Sequence, residues 1–275
     1  MVKTLGIEQF APMNHIYRFY ELNDYMKSIA EIGYHSMDLW PAVPIISLTV
    51  IIMKIQNILK KLMSQYDIRI VSITPRQSCP NPFHMAVKKT ELREKAKQYF
   101  QNMILAAHEL SCPKLLITSG WQSYSETRQE AWDRSVWMVG ELCRFAEKYG
   151  VSLTMETLSR QSTTLVNTIS DLKQMMKEVN SKAFTITADI HTIYNAKESI
   201  QDYFDTFGKK LNHCHFMDYK NGIRSHLAWG DGEADIKEIL DIFDRNRFSG
   251  HFVLEYTDSK YFLEPLRFMR KHIIS

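Results

Sequence analysis

Residues 141–156 read ELCRFAEKYGVSLTME and combine a helix pattern with a strand pattern. Its first part has the spacing of an amphipathic helix, and Gly150 stands where such a helix would end. Residues 151–156 are largely apolar or β-branched and stop on Glu156, which predicts a short buried strand with a carboxylate at its tip. A helix, a glycine and a buried strand together form one unit of a pattern.

The same unit recurs from one end of the chain to the other. Strand-like segments alternate with helix-like segments. The strand-like segments are 4–9, 36–40, 68–74, 115–118, 151–156, 184–189, 211–216 and 251–255. Alternating strands and helices predict parallel strands joined by right-handed crossovers. Eight units predict a single (β/α)8 TIM barrel formed by residues 1–275 as one domain, with a doubly wound open sheet as the alternative.

Composition and charge exclude several other classes of protein. The chain has 275 residues, of which 45% are hydrophobic, which is enough for the core of one barrel. A net charge of +3 without a basic stripe argues against a nucleic-acid partner. The longest apolar run, 43–53, is shorter than the ~20 residues that a membrane helix needs. Four cysteines without paired spacing, and the lack of a signal-peptide pattern, predict a cytoplasmic protein.

Four metal-binding side chains end four consecutive predicted strands. They are Glu156, Asp189, His215 and Glu255. TIM barrels hold their active sites at the carboxyl ends of the strands, so these side chains are expected to converge there. Three carboxylates and one imidazole suit a single divalent metal ion. Each residue alone has an ordinary explanation, such as a surface ion pair for a glutamate or a helix cap for Asp189.

Two histidines occupy the seventh predicted strand. His213 and His215 are interpreted as facing different ways, one toward the barrel interior and one toward the helices. His215 is expected to be the metal ligand, with its second ring nitrogen fixed by a neighbour. His213 is expected to be a packed structural histidine.

Motifs spread over nearly the whole chain carry a likeness to a known family. They are Trp40, 73–75 (ITP), 141–150 (ELCRFAEKYG), 155–158 (METL), Asp189, 213–218 (HCHFMD), His226, 230–233 (GDGE) and 253–255 (VLE). With these motifs the chain resembles the xylose isomerase-like sugar isomerase and epimerase superfamily. Within it, the chain is most similar to the ketose 3-epimerase branch and to its fructoselysine-type enzymes.

The resemblance implies a metal-dependent epimerase that inverts the carbon next to the carbonyl of a ketose or ketose derivative. Glu156, Asp189, His215 and Glu255 look like the ligands of one divalent ion (Mn²⁺, Co²⁺, Ni²⁺, Mg²⁺ or Zn²⁺). Glu156 and Glu255 look like the acid/base pair as well. Inversion needs proton-transfer groups on opposite sides of the substrate, and an electrophile that stabilises the enediolate.

Further residues are expected to contact the sugar on the catalytic face. They are His191, Asp218, Arg224, His226, Trp40 and Trp121. For Asp218 the alternative is a residue that orients a ligand, and for His226 an exposed position in a tight turn. For the tryptophans the alternative is ordinary loop packing. Arg76 is interpreted either as a partner of a substrate carboxylate or as a member of a surface ion pair.

Two departures from related ketose epimerases bear on the substrate. Thr192 stands where relatives often have a histidine, and Asn221 stands where some have an arginine. These differences favour an amino-acid-linked sugar over a free ketohexose. The other functions considered are an aldose–ketose isomerase of the same fold, an endonuclease of the endonuclease IV type and a non-catalytic sugar-binding protein. The apolar segment 44–53 is open to two interpretations, an interface in a homo-oligomer or packing against the core.

Overall fold

Eight parallel strands form one sheet in the computed structural model, which describes residues 5–41, 51–78, 81–220 and 224–257, with the backbone alone at 51–55 and 224–225. The strands are β1 (Phe10–Pro12), β2 (Ser36–Leu39), β3 (Arg69–Ile73), β4 (Lys114–Ile117), β5 (Ser152–Met155), β6 (Phe184–Asp189), β7 (Leu211–Phe216) and, after an antiparallel hairpin of β8 (Asp218–Lys220) and β9 (Arg224–Leu227), β10 (His251–Leu254).

The order of the strands closes the sheet into a barrel. It runs β1-β10-β7-β6-β5-β4-β3-β2, and a parallel bridge between Met13 and Asp38 joins the two ends. Neighbouring strands are in parallel register, for example Phe10 beside Phe252 and Val253 beside His215. The predicted (β/α)8 TIM barrel is therefore confirmed, and the open-sheet alternative is wrong.

Helices follow the strands as the sequence pattern predicts. They are α1 (Leu22–Ile32), α2 (Ile51–Tyr66), α3 (Thr90–Glu109), α4 (Arg128–Glu147), α5 (Ile169–Val179), the short α6 (Ile190–Asn195), α7 (Ile200–Phe207) and α8 (Ile236–Arg245). Within the described part of the chain, no helix combines the length and apolarity that a bilayer crossing requires. The helix predicted after the last strand, and most of the apolar segment 44–53, lie outside the described residues.

Two helices begin with reciprocal capping by side chains. The Thr127 hydroxyl accepts from the Glu130 amide, and the Glu130 carboxylate accepts from the Thr127 amide at 2.8 Å. Thr168 and Asp171 make the same arrangement at the start of α5. Such caps satisfy amides that the first helical turn leaves without partners. They fix where each helix begins and so set the lengths of the loops on the catalytic face.

Aromatic side chains fill the core beside β1, β7 and β10. Phe10 stacks on Phe252 with ring centroids 4.9 Å apart, and Phe216 packs edge-on against Trp229 at 4.7 Å. Burial of each phenylalanine contributes roughly 1.5–3 kcal/mol. This packing fixes β10 against β7, the two strands that carry Glu255 and His215 at their carboxyl ends.

Candidate active site

Three of the four predicted metal-binding residues meet at the carboxyl ends of β5, β6 and β7. One ligand atom from each of Glu156, Asp189 and His215 lies within 4.8 Å of the other two, and all three residues are buried. The strand register accounts for this, because Asp189 and His215 are direct partners on β6 and β7. Glu156 directly follows β5, which pairs with β6.

The fourth predicted residue, Glu255, completes the group from β10. Its Oε2 lies 2.9 Å from His215 Nδ1, and Glu156 Oε2 lies 3.0 Å from the same nitrogen. Glu255 is the residue directly after β10, and its side chain points to the same face as that of Val253, the register partner of His215. The His215 ring therefore stands between two carboxylates that approach from different strands.

The contacts within this group leave buried polar atoms without hydrogen bonds. Among the described residues, Glu156 Oε2 and both ring nitrogens of His215 have no hydrogen-bond partner of suitable direction, although the distances are short. An unsatisfied buried polar atom costs ~1–3 kcal/mol. A cation removes this cost, and ligand atoms on adjacent positions around an ion with ~2.1 Å bonds lie about 3 Å apart. The donor set and its spacing therefore fit one divalent ion.

The charges of the group also call for a cation. Burial raises the pKa of Asp189 to about 7, and repulsion from the Glu156 and Glu255 carboxylates adds to the effect. Burial lowers the pKa of His215, but the same two carboxylates outweigh it and raise that pKa well above its usual value. Three carboxylates in one buried place need either a proton on His215 or a metal ion among them.

Asp189 has a second function besides its place in this group. Its Oδ1 accepts a hydrogen bond from the Thr192 amide at 2.7 Å and so caps α6. The helix-cap explanation from the sequence is thus confirmed, and the second oxygen of the carboxylate is not needed for the cap. The Thr192 hydroxyl lies 3.2 Å from the Thr157 hydroxyl, which ties the start of α6 to the segment after β5.

The β8–β9 hairpin, which the sequence pattern did not reveal, and the loop after it lie beside the group. His226, in β9, has a left-handed backbone with φ of 59°, and its Nε2 lies 3.5 Å from Glu255 Oε1. The His226 carbonyl accepts from the Thr257 amide at 3.2 Å, which joins the hairpin to the segment after β10. This position favours the interpretation of His226 as a neighbour of the metal ligands over that of an exposed turn residue.

Asp218 holds the loop that follows this hairpin. Its carboxylate, which is 1% exposed, accepts hydrogen bonds from the amides of Tyr219, Gly230, Gly232 and Ala234 at 2.8–3.0 Å. Both oxygens are engaged by the backbone, so the geometry favours a positioning role for Asp218 over a substrate contact. Gly232 is required here, because a Cβ would lie 2.2 Å from Asp218 Oδ1.

A cavity of about 440 Å³ opens beside the group and has the size of a small-molecule site. Glu156, His215, His226 and Glu255 line one part of it, and Trp40 lines another. The Trp40 backbone is held by Asn14, whose amide group accepts from Trp40 N at 2.6 Å and donates to Trp40 O at 3.0 Å.

The other predicted sugar contacts are placed differently. Trp121 is not among the described residues that line the cavity, and it stacks on His84 with centroids 4.2 Å apart, as the loop-packing alternative describes. His191 Nε2 lies 2.9 Å from Asn195 Nδ2, and its ring lies 6.4 Å from that of His226. The side chain of Arg224 lies outside the described residues.

The expectation for the two histidines of β7 is wrong in one respect. Residues two apart on a strand point to the same face, and the rings of His213 and His215 lie 5.7 Å apart. His213 is nevertheless a buried core residue, as expected, and burial together with the charges of Lys114, His215 and His251 lowers its pKa well below the usual value. His213 and His215 therefore differ in their height along the barrel axis and not in the face of the strand from which they project.

Sequence reasoning missed three residues near the site. His15 and Arg18 line the cavity from the 3-10 turn after β1, and a correct placement of the first strand would have indicated them. Asp38 lies inside β2 with a hydroxyl of Thr74 3.0 Å from its Oδ2. Burial raises the pKa of Asp38 to about 7. A carboxylate within an apolar strand is the signal that could have identified it.

Comparisons with known proteins agree with this architecture. A family model described as "Xylose isomerase-like TIM barrel" matches residues 26–272. The fructoselysine 3-epimerase of Shigella flexneri is 25% identical over 264 residues, which cover 96% of this chain and 91% of that protein.

Two solved structures are similar in fold. D-psicose 3-epimerase with D-tagatose from Clostridium cellulolyticum H10 has a TM-score of 0.74 at 18% identity, covering 89% of this chain and 83% of that one. The 3-keto-D-glucoside 4-epimerase from E. coli has a TM-score of 0.76 at 14% identity, covering 94% and 99%. At these identities the structural likeness establishes the fold and nothing finer.

Proposed function

The chain belongs to the xylose isomerase-like TIM barrel family, and we propose that it is a metal-dependent 3-epimerase of a ketose or ketose derivative. The observation that carries the proposal is the position of Glu156 and Glu255 on the wall of one cavity, each within 3.0 Å of His215 Nδ1. The relative named fructoselysine 3-epimerase supports a fructoselysine-type substrate as the finer proposal.

Glu156 and Glu255 have the placement that an acid/base pair needs. Epimerisation removes a proton from one face of a carbon and returns one to the opposite face, so the two groups must approach from different sides. Glu156 follows β5 and Glu255 follows β10, and β6 and β7 lie between these strands. His215 and His226 hold the pKa of Glu255 well below its usual value, against the effect of burial, and so keep it ionised as a base requires.

Glu156, Asp189, His215 and Glu255 would hold one divalent ion. Such an ion, when bound, supplies positive charge to the substrate oxygens as the enediolate forms. The Thr192 amide fixes one oxygen of Asp189, which leaves its carboxylate in a defined orientation. His226 is a second neighbour of Glu255, and the imidazoles of His226 and His215 contact different oxygens of that carboxylate.

The decisive experiment follows deuterium from solvent into the substrate. The protein with Mn²⁺ or Co²⁺ is incubated in D₂O with fructoselysine, psicoselysine, fructose or psicose, and NMR reports exchange at C3 and formation of the epimer. A 3-epimerase labels C3, whereas an aldose–ketose isomerase that works through an enediol labels C1 of the ketose and C2 of the aldose. No exchange with any of these compounds under metal-replete conditions would contradict the proposal.

Two substitutions test the acid/base assignment. Glu156→Gln and Glu255→Gln should each lower kcat by roughly 10²–10⁴-fold, because each removes one proton-transfer group. Glu141→Gln is the matched control, since this glutamate lies on α4 in ion pairs with Lys97 and Arg144. It should retain activity. Normal turnover by either site variant would remove that residue from the proton-transfer step.

A further inference from the structure

The charge on the walls of the cavity is distributed unevenly. Glu156 and Glu255 lie on one part of the wall, with His215 between them. The fully cationic side chains that line the cavity in the described part of the chain are Arg18 and Arg76. They come from the segments after β1 and β3, which lie opposite β5 and β7 in the strand order of the barrel, whereas Glu255 follows β10, the neighbour of β1. Within the described residues, the segments after β1, β2 and β3 contribute no aspartate or glutamate to the cavity wall.

From this arrangement we infer that the cavity recognises a ketose that carries a negatively charged group, held by Arg18 and Arg76 while the sugar carbons lie at Glu156 and Glu255. The inference rests on the proposed function and extends it to the substrate class. Guanidinium groups bind carboxylates and phosphates through paired N–H donors, and both anions meet the same requirement here.

Arg18 is held at the cavity by its own surroundings. It is half-buried just after the 3-10 turn Asn14–Tyr17, with Nη1 3.4 Å from His15 Nε2. Its guanidinium carbon lies 5.0 Å from the Phe19 ring centroid, a cation–π contact. Burial and the Arg18 charge lower the pKa of His15 to about 4, so His15 stays neutral. The positive charge of this wall is therefore that of the arginine at neutral pH.

Arg76 extends from a fixed backbone position. Its carbonyl accepts from Asn81 Nδ2 at 2.9 Å and from the Tyr99 hydroxyl at 3.4 Å, and Pro75 precedes it. The side chain is exposed and lines the cavity, and no ion pair of Arg76 occurs within the ranges that the structure describes. Of the two sequence interpretations of Arg76, the position on the cavity wall favours the substrate carboxylate over the surface ion pair.

The size of the cavity agrees with an appended group. About 440 Å³ suits a ligand larger than a bare ketohexose. Two sources supply the anion: the α-carboxylate of a sugar linked to an amino acid, or the phosphate of a ketose phosphate. Either source would place its negative charge at Arg18 and Arg76 on the cavity wall, and kinetics can distinguish the two.

The test compares substrates that differ in one charged group. Fructoselysine is paired with fructosylcadaverine, which is the same molecule without its carboxylate, and fructose 6-phosphate is paired with fructose. Arg18→Gln and Arg76→Gln should lower kcat/KM for the anionic member roughly 10- to 100-fold, mainly through KM, because each removes charge-assisted hydrogen bonds. The loss with the member that lacks the anionic group should be at least ten-fold smaller. Arg18→Lys and Arg76→Lys should restore part of the difference.

The matched control is Arg160→Gln, an exposed arginine in the segment after β5 that does not line the cavity. It should leave the substrate ratio unchanged. Loss confined to the phosphate pair identifies a ketose phosphate, and loss confined to the lysine pair identifies the amino-acid conjugate. Equal losses for both members of each pair, or no loss in either variant, would overturn the inference.

Failure of the proposed function would give a different pattern. In that case the wild-type protein would turn over none of the four compounds. Calorimetric titration with fructoselysine and fructose 6-phosphate then tests the inference directly. Binding that weakens at least ten-fold in Arg18→Gln and Arg76→Gln, but not in Arg160→Gln, supports an anion site. Absent or unchanged binding contradicts it.

Discussion

Replacement of Asp218 by asparagine tests how the loop beside the site is held. Asp218 Oδ1 accepts from the amides of Tyr219 and Ala234 at 2.8 and 3.0 Å. Its Oδ2 accepts from the amides of Gly230 and Gly232 at 3.0 and 2.9 Å. An asparagine keeps one oxygen and turns an NH₂ group toward two N–H donors, so two of the four hydrogen bonds are lost in either orientation.

The size of the effect follows from the number of bonds lost. A hydrogen bond to a charged group contributes ~1.5–3 kcal/mol, so two of them correspond to about 3–6 kcal/mol if the loop keeps its conformation. The loop can instead open locally, which limits the loss in global stability to the free energy of that opening. We therefore expect faster amide exchange in residues 228–234 and a smaller decrease in the free energy of unfolding.

Hydrogen exchange followed by mass spectrometry, with urea unfolding on the same protein, measures both effects. Asp24→Asn is the control, because Asp24 is exposed in the first turn of α1. Unchanged exchange in residues 228–234 of the Asp218 variant would refute the reasoning. A loss of turnover without faster exchange would favour the other sequence interpretation, a direct contact between Asp218 and the substrate.

Three further predictions concern other parts of the fold. Gly120→Ala should destabilise the protein by ~1–3 kcal/mol more than Gly150→Ala in thermal unfolding. Both glycines have φ near +70°, but a Cβ at Gly120 would lie 2.7 Å from His84 Nδ1 and 2.8 Å from Ala86 N, whereas nothing lies within 4 Å of a Cβ at Gly150. Burial and the Arg134 charge lower the pKa of His84 from 6.5 to about 4, so the unfolded state binds a proton between these pH values that the folded state does not. Roughly 3 kcal/mol of folding stability should therefore be present above pH 6.5 and lost as the pH falls to 4. In urea titrations, His84→Asn should remove most of this pH dependence. EDTA should lower the melting temperature and Mn²⁺ should restore it, because an ion among the buried carboxylates stabilises the folded state alone. An identical melting temperature with and without EDTA and Mn²⁺ would contradict the metal assignment.

The barrel was predictable because its signals are local. The strands β5, β6 and β10 consist mainly of apolar residues and threonines and are buried along nearly their whole length, as expected for strands covered on both faces, and helices with clear ends separate them. The sequence pattern predicts the first strand at 4–9, whereas the structure has a 3-10 turn at Ile7–Gln9 and the strand at Phe10–Pro12. Its position is set by pairing with β10, which no local pattern in residues 4–12 reveals.

The convergence of Glu156, Asp189, His215 and Glu255 was also predictable, since each ends a strand of the same barrel. The remaining parts of the cavity were not. Arg18 reaches it from a turn whose direction depends on closure of the barrel between Met13 and Asp38. For Asp218 the sequence leaves open a substrate contact or a residue that orients a ligand, because it does not show that four backbone amides surround the carboxylate.

The interior of the barrel also explains why one histidine of β7 joins the carboxylates and the other does not. His213 and His215 share a face, but they lie at different levels along the barrel. At the amino end, the Lys114 ammonium donates to the Asn212 carbonyl at 3.0 Å, and His251 is the register partner of His213. A dication at that level would be repelled by Lys114. Closer to the carboxyl ends of the strands, His215 lies 2.9 Å from Glu255 and 3.0 Å from Glu156, and positive charge is stabilised there. The barrel thus separates cationic and anionic layers along its axis, and this separation, more than the choice of histidine as a residue type, determines where an ion can bind.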